Sequence, residues 1–363
     1  MSNRFVEQGL SSPVNLTWEV SLACNLRCRH CLSSSGRAAP GELTTAEALD
    51  AVDQIHRAGV FQLNFGGGEP FLRPDFETIL EACHARGVVT CISTNGTLID
   101  AARVERLARS GLVAIQVSVD GASRETNDGL RGEGTFERAT RALRLLGESP
   151  IPTSLNAVLT AQNAAEIPAL AELAGELKVA LRVSRFRPSG RGADAWRALR
   201  PSPAQLLDFS AWLSQHGRVR TGDSFFSLTA QERQGLGLNL CGAAKLTACL
   251  GPQGNLYPCA FLQRPEFVAG SLRDQTFQEI WDGSPVYRSF RGLRIHSCED
   301  CQRYDQCHGG CPAVAYHLGR GIEGADPECL MSCVSEVRAQ GDLVPPPVSP
   351  ARPAGATPEE SAP

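Results

Sequence analysis

The chain lacks the features that would place it in a membrane, on nucleic acid or outside the cell. No apolar run in the 363-residue chain approaches the length of ~20 residues that a membrane span needs. The net charge is −4 and no long basic run occurs, which argues against a nucleic-acid surface. Residues 1–13 are polar and contain no apolar segment of a secretory signal peptide. We therefore expect a cytoplasmic protein that binds neither membrane nor nucleic acid.

Cysteine, in contrast, is abundant and unevenly placed. Of the 14 cysteines, three lie within residues 24–31, nine lie within residues 241–333, and only Cys83 and Cys91 lie between. A cytoplasmic compartment is reducing, so these thiols are not expected to form disulfides. The clustering favours metal ligation, whereas Cys83 and Cys91 are predicted to be small apolar core residues.

The first group has the spacing C-x3-C-x2-C, formed by Cys24, Cys28 and Cys31. Three thiolates this close can bind one face of a four-iron cubane and leave one iron without a protein ligand. Such an open iron can bind a small molecule. A structural zinc site is the alternative, but it needs four ligands, and His30 lies between Cys28 and Cys31, where it reaches the same ion poorly.

The first half of the chain alternates short apolar strands with helical stretches. Helices are predicted at residues 44–58, where Thr44 and Glu47 form a capping-box pattern, and at 75–86. The predicted strands are 15–21, 60–65, 88–94, 112–119, 153–160 and 179–187. Repeated βα units with apolar strands predict an α/β fold with a parallel sheet covered by helices.

The composition also predicts the domain boundaries. We expect an N-terminal extension at residues 1–14, a core at 15–200, a bridge at 201–240 with helical character at 204–216, and a cysteine-rich module at 241–335. Residues 336–363 are rich in proline and alanine and almost free of large apolar side chains. This composition predicts a disordered tail.

Polar residues follow three of the predicted strands. Gly66-Gly67-Gly68-Glu69 follows the second strand, Ser93-Thr94-Asn95-Gly96 ends the third, and Ser118-Val119-Asp120-Gly121 ends the fourth. In βα barrels the functional groups lie at the carboxyl ends of the strands. Each of these segments also has an alternative interpretation as a turn.

The C-x3-C-x2-C spacing resembles the signature of the radical S-adenosylmethionine (SAM) enzymes. This resemblance implies a partial (β/α)6 TIM-like barrel and a [4Fe–4S] cluster on Cys24, Cys28 and Cys31 that binds SAM at its open iron. It further implies that an electron from the cluster cleaves SAM, and that the resulting 5′-deoxyadenosyl radical abstracts a hydrogen from the substrate.

The same resemblance implies contacts to SAM. The methionine amino group is expected at Gly67, Gly68 and Glu69. The remaining candidates are Ser118 and Arg131 for the methionine carboxylate, and Ser93 and Asn95 for the ribose.

The second cysteine group resembles the SPASM module of peptide-modifying radical SAM enzymes. The resemblance implies two auxiliary [4Fe–4S] clusters, so that the chain would hold three clusters in all. The implied ligands are Cys241, Cys249, Cys259 and Cys311 for cluster I, and Cys298, Cys301, Cys307 and Cys329 for cluster II. Cys249 has an unusual spacing to Cys259, and Cys333 could replace Cys329. Two zinc ions held by thiolates remain the alternative.

Several further segments resemble the mycofactocin-maturing branch of this family. They are LTWE at 16–19, CLSSSG at 31–36, FRPSGRG at 186–192, TGDSFF at 221–226 and DPEC at 326–329. The resemblance implies a small precursor peptide ending in Val-Tyr, oxidative decarboxylation of its tyrosine, and then a C–C bond between valine and the tyramine-derived carbon. The auxiliary clusters would accept the electron removed. Arg185, Arg187 and Arg191 are candidates to hold the peptide's terminal carboxylate.

Only about 14 residues precede the first strand, too few for a folded leader-binding domain. We therefore expect a separate peptide-binding chaperone protein, together with an external electron donor. Two other functions remain open at this point. One is a different SPASM maturase, sulfatase-activating or cross-link-forming, and the other is a non-catalytic Fe–S electron-transfer protein.

Overall fold

The computed structural model of the protein describes residues 10–221 and 241–329. Within them, nine strands form one sheet in the order β6-β5-β4-β3-β2-β1-β7-β8-β9, and β1 to β6 are parallel. The strands are β1 Asn15–Ser21, β2 Gln62–Gly67, β3 Val89–Thr94, β4 Ala114–Ser118, β5 Thr153–Leu159, β6 Ala180–Arg185, β7 Thr247–Leu250, β8 Asn255–Tyr257 and β9 Gly270–Ser271. The first six confirm the predicted strands and the partial (β/α)6 barrel.

Helices follow the strands of the barrel and continue into the C-terminal part. They are α1 Thr45–Arg57, α2 Phe76–Ala85, α3 Ala101–Arg109, α4 Arg124–Arg131, α5 Thr135–Gly147, α6 Ile167–Glu176, α7 Arg191–Asp194, α8 Trp196–Leu199, α9 Pro203–Gln215, α10 Phe277–Gly283, α11 Pro285–Arg291, α12 Tyr304–Cys307 and α13 Pro312–His317. The predicted helices at 44–58, 75–86 and 204–216 are confirmed as α1, α2 and α9. Thr44 and Glu47 make the predicted capping box of α1.

The core lies between the outer face of the sheet and the helices. In β1, Leu16, Trp18 and Val20 are fully buried within this core. Successive side chains of a strand face opposite sides, so Thr17 and Glu19 face the inside of the barrel. The ring of Phe65 on β2 packs on Trp18 with a 5.6 Å centroid distance. Cys83 is buried in this core as predicted, whereas Cys91 on β3 is only partly buried.

The cysteine-rich residues 241–329 (the C-terminal module) are joined to the barrel through its sheet. Strand β7 pairs in parallel with β1, from Asn15 opposite Thr247 to Trp18 opposite Leu250. Strands β8 and β9 then continue antiparallel. β1 is therefore an interior strand, a pairing that the cysteine spacing does not predict.

Some predictions fall outside the described residues. They concern most of the TGDSFF segment, part of the bridge, Cys333 and the tail at 336–363. In the part of the chain that is described, no helix has both the length and the apolar character required to cross a membrane.

Candidate active site

A cavity of about 360 Å³ opens at the carboxyl ends of the barrel strands. This volume lies within the range of ligand pockets, roughly 300–1,000 Å³. Its wall includes almost every site residue that the sequence predicts in the barrel: Cys24, Cys28, Cys31, Gly67, Gly68, Ser93, Asn95, Ser118, Arg131, Arg185, Arg187 and Arg191. Residues separated by more than 160 positions thus share one space.

The loop that carries the three cysteines is held by backbone hydrogen bonds and by one arginine. The amide of Cys24 donates to the carbonyl of Gly36 at 3.0 Å. Arg191 donates from Nε to the carbonyl of Cys28 at 3.0 Å and from Nη1 to the carbonyl of Ser35 at 2.7 Å. The loop therefore depends on a residue that follows β6 for its shape.

The cysteines of this loop are partly buried, and hydrogen-bond donors and a cation lie near them. Burial raises the pKa of Cys24 to about 11. Burial also raises the pKa of Cys28, although Arg131 opposes the change, with its Nη1 3.9 Å from the Cys28 sulfur. A bound iron must therefore displace the thiol protons.

The donor atoms of the described residues can be compared with what an iron–sulfur cluster or a zinc ion requires. Within residues 10–221 and 241–329, no three His, Cys, Asp or Glu side chains converge enough to bind a single metal ion. Thiolates on a cubane bind different irons, whereas zinc gathers its ligands around one centre. All 13 described cysteines are free thiols. Thiols are the donors that iron–sulfur clusters use, so the donor set fits such clusters.

The loop after β2 packs directly on the strand that leads into Cys24. Gly67 has φ +108°, and a Cβ there would lie 2.6 Å from the carbonyl oxygen of Ser21. A Cβ on Gly68 would lie 2.0 Å from the carbonyl oxygen of Ala23. Only glycine permits this approach, which leaves the loop's backbone facing the cavity.

Glu69 is the predicted barrel residue that does not line the cavity. Its Oε1 accepts from Thr94 Oγ1 at 2.7 Å, and its Oε2 accepts from the amide of Asn95 at 2.8 Å. Burial raises its pKa to about 7, although these hydrogen bonds oppose the change. The carboxylate joins the ends of β2 and β3, so a ligand in the cavity meets the glycine backbone rather than this side chain.

The side chain of Asn95 is hydrogen-bonded to the loop that carries the three cysteines. Its Nδ2 donates to Asn25 Oδ1 at 2.9 Å and lies 3.9 Å from the Cys24 sulfur. Its Oδ1 accepts from the amide of Thr97 at 2.9 Å. The side chain that the sequence suggests for the ribose therefore also orients the Cys24 thiol.

Asp120 organises the opposite side of the loop. Its Oδ2 lies 2.6 Å from Arg131 Nε and 2.9 Å from His30 Nε2, and its Oδ1 accepts from the amide of Val158 at 2.7 Å. Burial alone would raise the pKa of Asp120, but Arg131 and His30 hold it below its usual range. The polar, turn-like pattern at residues 118–121 does not by itself predict this role of Asp120.

Amide and hydroxyl side chains line the barrel interior beneath these loops. Gln116 Nε2 donates to Ser93 Oγ at 2.6 Å, and Ser93 Oγ also contacts the Asn64 amide. Ser184 Oγ donates to Asn156 Oδ1 at 3.1 Å. Apart from Ser93 these residues were missed, although polar residues at alternate strand positions are a readable signal.

Arg185 is engaged by carboxylates of its own chain. Its Nη1 and Nη2 donate to Asp326 Oδ2 and Oδ1 at 2.6 and 2.8 Å, and its Nε donates to Glu328 Oε2 at 2.9 Å. The guanidinium side chain is 2% exposed. The two terminal nitrogens of Arg185, predicted from the sequence to bind a substrate carboxylate, instead donate to Asp326.

Arg187 and Arg191 also lie on the cavity wall. The guanidinium carbon of Arg187 lies 4.3 Å from the ring centre of Phe261, a residue of the C-terminal module that also lines the cavity. The two acceptors of Arg191 are neutral backbone carbonyls. Its charge is therefore available to an anionic ligand.

Glu19 is a further acidic residue of the cavity wall, and none of the sequence motifs predicts it. It lies on the inner side of β1 and is 2% exposed. Burial raises its pKa to about 7, although hydrogen bonding by Gln263 and Ser33 opposes the change. Its Oε2 has no hydrogen-bond partner within residues 10–221 and 241–329. An acidic residue inside an apolar strand is the signal that could have found it.

The cysteines of the C-terminal module affect one another in two groups. Burial, with a smaller contribution from the charge of Cys311, raises the pKa of Cys241 to about 11. Burial, with smaller contributions from Cys241 and Cys311, raises the pKa of Cys259 to about 12. Burial raises the pKa of Cys249, and the charges of Glu19 and Cys259 raise it further. The second group comprises Cys298, Cys301 and Cys307. The first group contains the four predicted ligands of cluster I, and the second contains three of the four predicted for cluster II, without Cys329.

Comparison with known proteins gives concordant family matches. Residues 18–174 match the radical SAM superfamily, and residues 241–312 match SPASM, an iron–sulfur cluster-binding domain. The chain is 42% identical over 340 residues to the mycofactocin maturase MftC of Mycobacterium ulcerans (strain Agy99), covering 92% of each chain. It is 31% identical to the AdoMet-dependent heme synthase of Methanosarcina barkeri (strain Fusaro / DSM 804), covering 88% of this chain and 97% of that protein.

The fold is also found among solved structures. Streptococcus suis SuiB bound to precursor peptide SuiA superposes with a TM-score of 0.71 at 22% identity. The match covers 90% of this chain and 77% of that chain. At this identity the likeness speaks to the fold alone.

Proposed function

The chain belongs to the radical SAM enzymes with a SPASM module, and within them to the mycofactocin maturases; from this premise we propose the reaction it performs. The substrate is the C-terminal Val-Tyr of a small ribosomally made precursor peptide. The first reaction is oxidative decarboxylation of the tyrosine. The second forms a C–C bond between the valine and the tyramine-derived carbon. No observation favours a sulfatase-activating, cross-link-forming or non-catalytic protein instead.

The observation that carries this proposal is the shared cavity. Cys24, Cys28 and Cys31 lie on one wall, and Arg187 and Arg191 lie on the same space. A C-terminal carboxylate held by guanidinium groups would bring the terminal tyrosine next to the cysteine loop. This is the arrangement that a reaction at the tyrosine side chain needs, because reacting groups must be held in contact.

The cofactors are [4Fe–4S] and SAM, and we propose three clusters. Cys24, Cys28 and Cys31 hold the first. Cys241, Cys249, Cys259 and Cys311 hold the second, and Cys298, Cys301, Cys307 and Cys329 the third. When bound, the first cluster and SAM supply the radical that removes a hydrogen atom from the substrate. The two groups of mutually interacting thiols support the auxiliary assignments.

Within the site, the chain's own residues bind and orient. The backbone of Gly67 and Gly68, which lines the cavity, receives the amino group of SAM. Ser93 and Ser118 offer hydroxyls from the wall. Asn95 Nδ2 lies 3.9 Å from the Cys24 sulfur and Arg131 Nη1 lies 3.9 Å from the Cys28 sulfur, so both side chains help to orient these thiols.

The substrate carboxylate is assigned to Arg191, with Arg187 beside it. Arg191 is fixed by two neutral carbonyls, so it is rigid and keeps its charge for the ligand. Arg185 does not take part in this assignment, because Asp326 and Glu328 occupy its donors.

The remaining assignments concern organisation and partners. We propose a barrel at residues 15–200, a bridge at 201–240, a SPASM module at 241–335 and a tail at 336–363, in the cytoplasm. The precursor peptide is presented by a separate chaperone protein, and an external donor supplies electrons. A reducing compartment suits the free thiols on which this proposal depends.

The experiment is anaerobic turnover by the reconstituted protein with SAM, reductant, chaperone and a precursor ending in Val-Tyr. We expect the peptide to lose the mass of carbon dioxide plus two hydrogens, followed by a second product of unchanged mass. Omitting the chaperone should lower the rate, and equal turnover without it would contradict the partner assignment.

Other outcomes separate the alternatives. Formation of 5′-deoxyadenosine with an unchanged peptide would point to a different maturase substrate. Failure to bind SAM or to form 5′-deoxyadenosine would point to a non-catalytic cluster protein. Zinc without iron after purification from an iron-replete culture would contradict the cluster assignment.

A further inference from the structure

Glu19 lies on β1, between β2 of the barrel and β7 of the C-terminal module. It lies opposite Gly66 of β2 in the sheet, and its backbone amide hydrogen-bonds to the sulfur of Cys249 in β7. Its side chain lies on the cavity wall. Gln263 of the C-terminal module and Ser33 of the cysteine loop flank its carboxylate.

The buried carboxylates around this site differ in one respect. Glu69 and Asp326 are each at most 2% exposed, and both oxygens of each carboxylate accept hydrogen bonds from the chain. Asp120 Oδ2 lies within ion-pair distance of Arg131 and His30. Glu19 is as buried as these residues and is hydrogen-bonded by Gln263 and Ser33, yet its Oε2 has no donor and no cation partner among the described residues. An unsatisfied buried acceptor costs free energy, so such a group in a native structure needs an explanation.

The space next to Glu19 limits where a donor can come from. Its neighbours on β2 are Gly66 and Gly67, which have no side chains. On the β7 side its electrostatic neighbours are Cys249 and Tyr257. The carboxylate also lines the cavity, so a molecule that fills the cavity can supply the donor for Oε2.

The charged side chains on the cavity wall indicate which group of a terminal tyrosine would contact Glu19. The arginines attract the carboxylate, whereas a carboxylate at Glu19 would face a like charge. The other polar end of tyrosine is its phenol. An O–H donor to a carboxylate makes a short, strong hydrogen bond.

We propose that Glu19 is a specificity-determining residue whose carboxylate accepts a hydrogen bond from the tyrosine hydroxyl of the substrate. This inference rests on the proposed function, because it takes the terminal tyrosine as the group that enters the cavity. The ammonium group of SAM is the other donor of suitable chemistry, and the experiment separates the two.

The experiment combines a residue change with a substrate change. Wild type and Glu19→Met, both reconstituted and supplied with chaperone and reductant, are compared on precursors ending in Val-Tyr and Val-Phe. Decarboxylation by wild type should favour tyrosine in kcat/KM by about a hundredfold or more, since a site that binds a hydroxyl rejects the analogue without it. In Glu19→Met, which removes the acceptor but keeps similar length, the preference should fall to within about threefold of unity.

A conservative variant and a control complete the set. Glu19→Gln keeps one weaker acceptor and should show an intermediate preference, which guards against a folding defect in Glu19→Met. Glu81→Gln, on the exposed side of α2, should keep the wild-type preference.

Three outcomes would overturn the proposal. The first is the same tyrosine preference in wild type, Glu19→Met and Glu19→Gln. The second is weakened SAM binding in the Glu19 variants without peptide, measured by equilibrium titration, which would assign the donor to SAM. The third is no turnover of the Val-Tyr precursor by wild type, which would overturn the proposed function as well.

Discussion

Arg185, Asp326 and Glu328 form a buried ion cluster that crosses from the barrel to the C-terminal module. Asp326 also accepts from the amide of Cys311 at 3.0 Å, and the amide of Cys329 donates to the carbonyl of Asp326 at 3.1 Å. Two proposed ligands of different auxiliary clusters are thereby fixed by one arginine at the end of β6. At the scale of single residues, this contact links the cavity wall to the cluster-binding loops.

Replacing Arg185 by methionine should therefore destabilise the protein and loosen the auxiliary sites. The change leaves two carboxylates buried without their cation, and breaking a buried ion pair in this way costs about 3–5 kcal/mol. We expect a lower free energy of unfolding by chemical denaturation and a lower iron content after reconstitution.

Arg106→Met is the matched control, because Arg106 forms an exposed ion pair with Glu77. It should change the free energy of unfolding by about 1 kcal/mol or less. If Arg185→Met proved as stable as wild type and only raised KM for the precursor, Arg185 would be a substrate ligand after all.

Helix α1 shows how a local sequence signal also serves long-range packing. Thr44 and Glu47 close the first turn, with the Thr44 amide donating to Glu47 Oε2 at 2.8 Å. The same carboxylate accepts from Arg273 Nε and Nη2 at 2.7 and 3.1 Å, beyond β9 in the C-terminal module. The cap of this element is therefore also a contact between the two parts of the chain.

This arrangement predicts a pH-dependent contribution to stability. The hydrogen bonds from Arg273 and Thr44 lower the pKa of Glu47 to about 2, from an ordinary value of 4.5. A carboxyl whose pKa is lowered by folding stabilises the protein above its unfolded pKa, and this contribution is lost as pH falls through the folded pKa. The stability difference between wild type and Glu47→Gln should thus be constant above about pH 5 and shrink between pH 4.5 and 2.

Urea unfolding midpoints of the cluster-free protein across this pH range would measure the difference. Glu81→Gln serves again as the control on an exposed helix face. A difference between wild type and Glu47→Gln that persists undiminished at the acid end would contradict the assigned partner.

At the scale of the whole molecule, the barrel and the C-terminal module share one sheet. Strand β7 covers the edge of β1 in parallel register, and Phe277 of α10 donates its amide to Gln54 Oε1 of α1 at 2.9 Å. The fully buried ring of Trp281 belongs to the same core as β1 and β2. The two parts are therefore expected to unfold together.

A chain shortened to residues 1–221 tests this expectation. It would expose the edge of β1 and the apolar surface that α10 and α11 cover, and exposed strand edges of this kind promote aggregation. We expect aggregation on size-exclusion chromatography and no cooperative thermal transition by circular dichroism. A chain of residues 1–335 should behave as the full protein does, and a monomeric, cooperatively unfolding 1–221 would show that the barrel folds alone.

The local signals in the sequence were sufficient for the elements and for the nature of the cofactor-binding motifs. Strand alternation and helix caps predicted β1 to β6, α1, α2 and α9, because these patterns depend on residues close together in the chain. The spacing of Cys24, Cys28 and Cys31, and the glycines after β2, are local for the same reason. The observed cavity brings these predicted motifs together.

Only the tertiary structure decided which polar groups are occupied and which face the ligand. Asp326 lies 141 residues from Arg185 in the sequence, yet its carboxylate accepts hydrogen bonds from the Arg185 guanidinium. The carboxylate of Glu69 accepts from Thr94 at the end of β3 and does not line the cavity. Glu19 lies within an apolar strand, and its significance depends on what surrounds it on β2 and in the C-terminal module. A buried charge is satisfied by whichever donors the fold brings near it, and sequence separation carries no record of that distance.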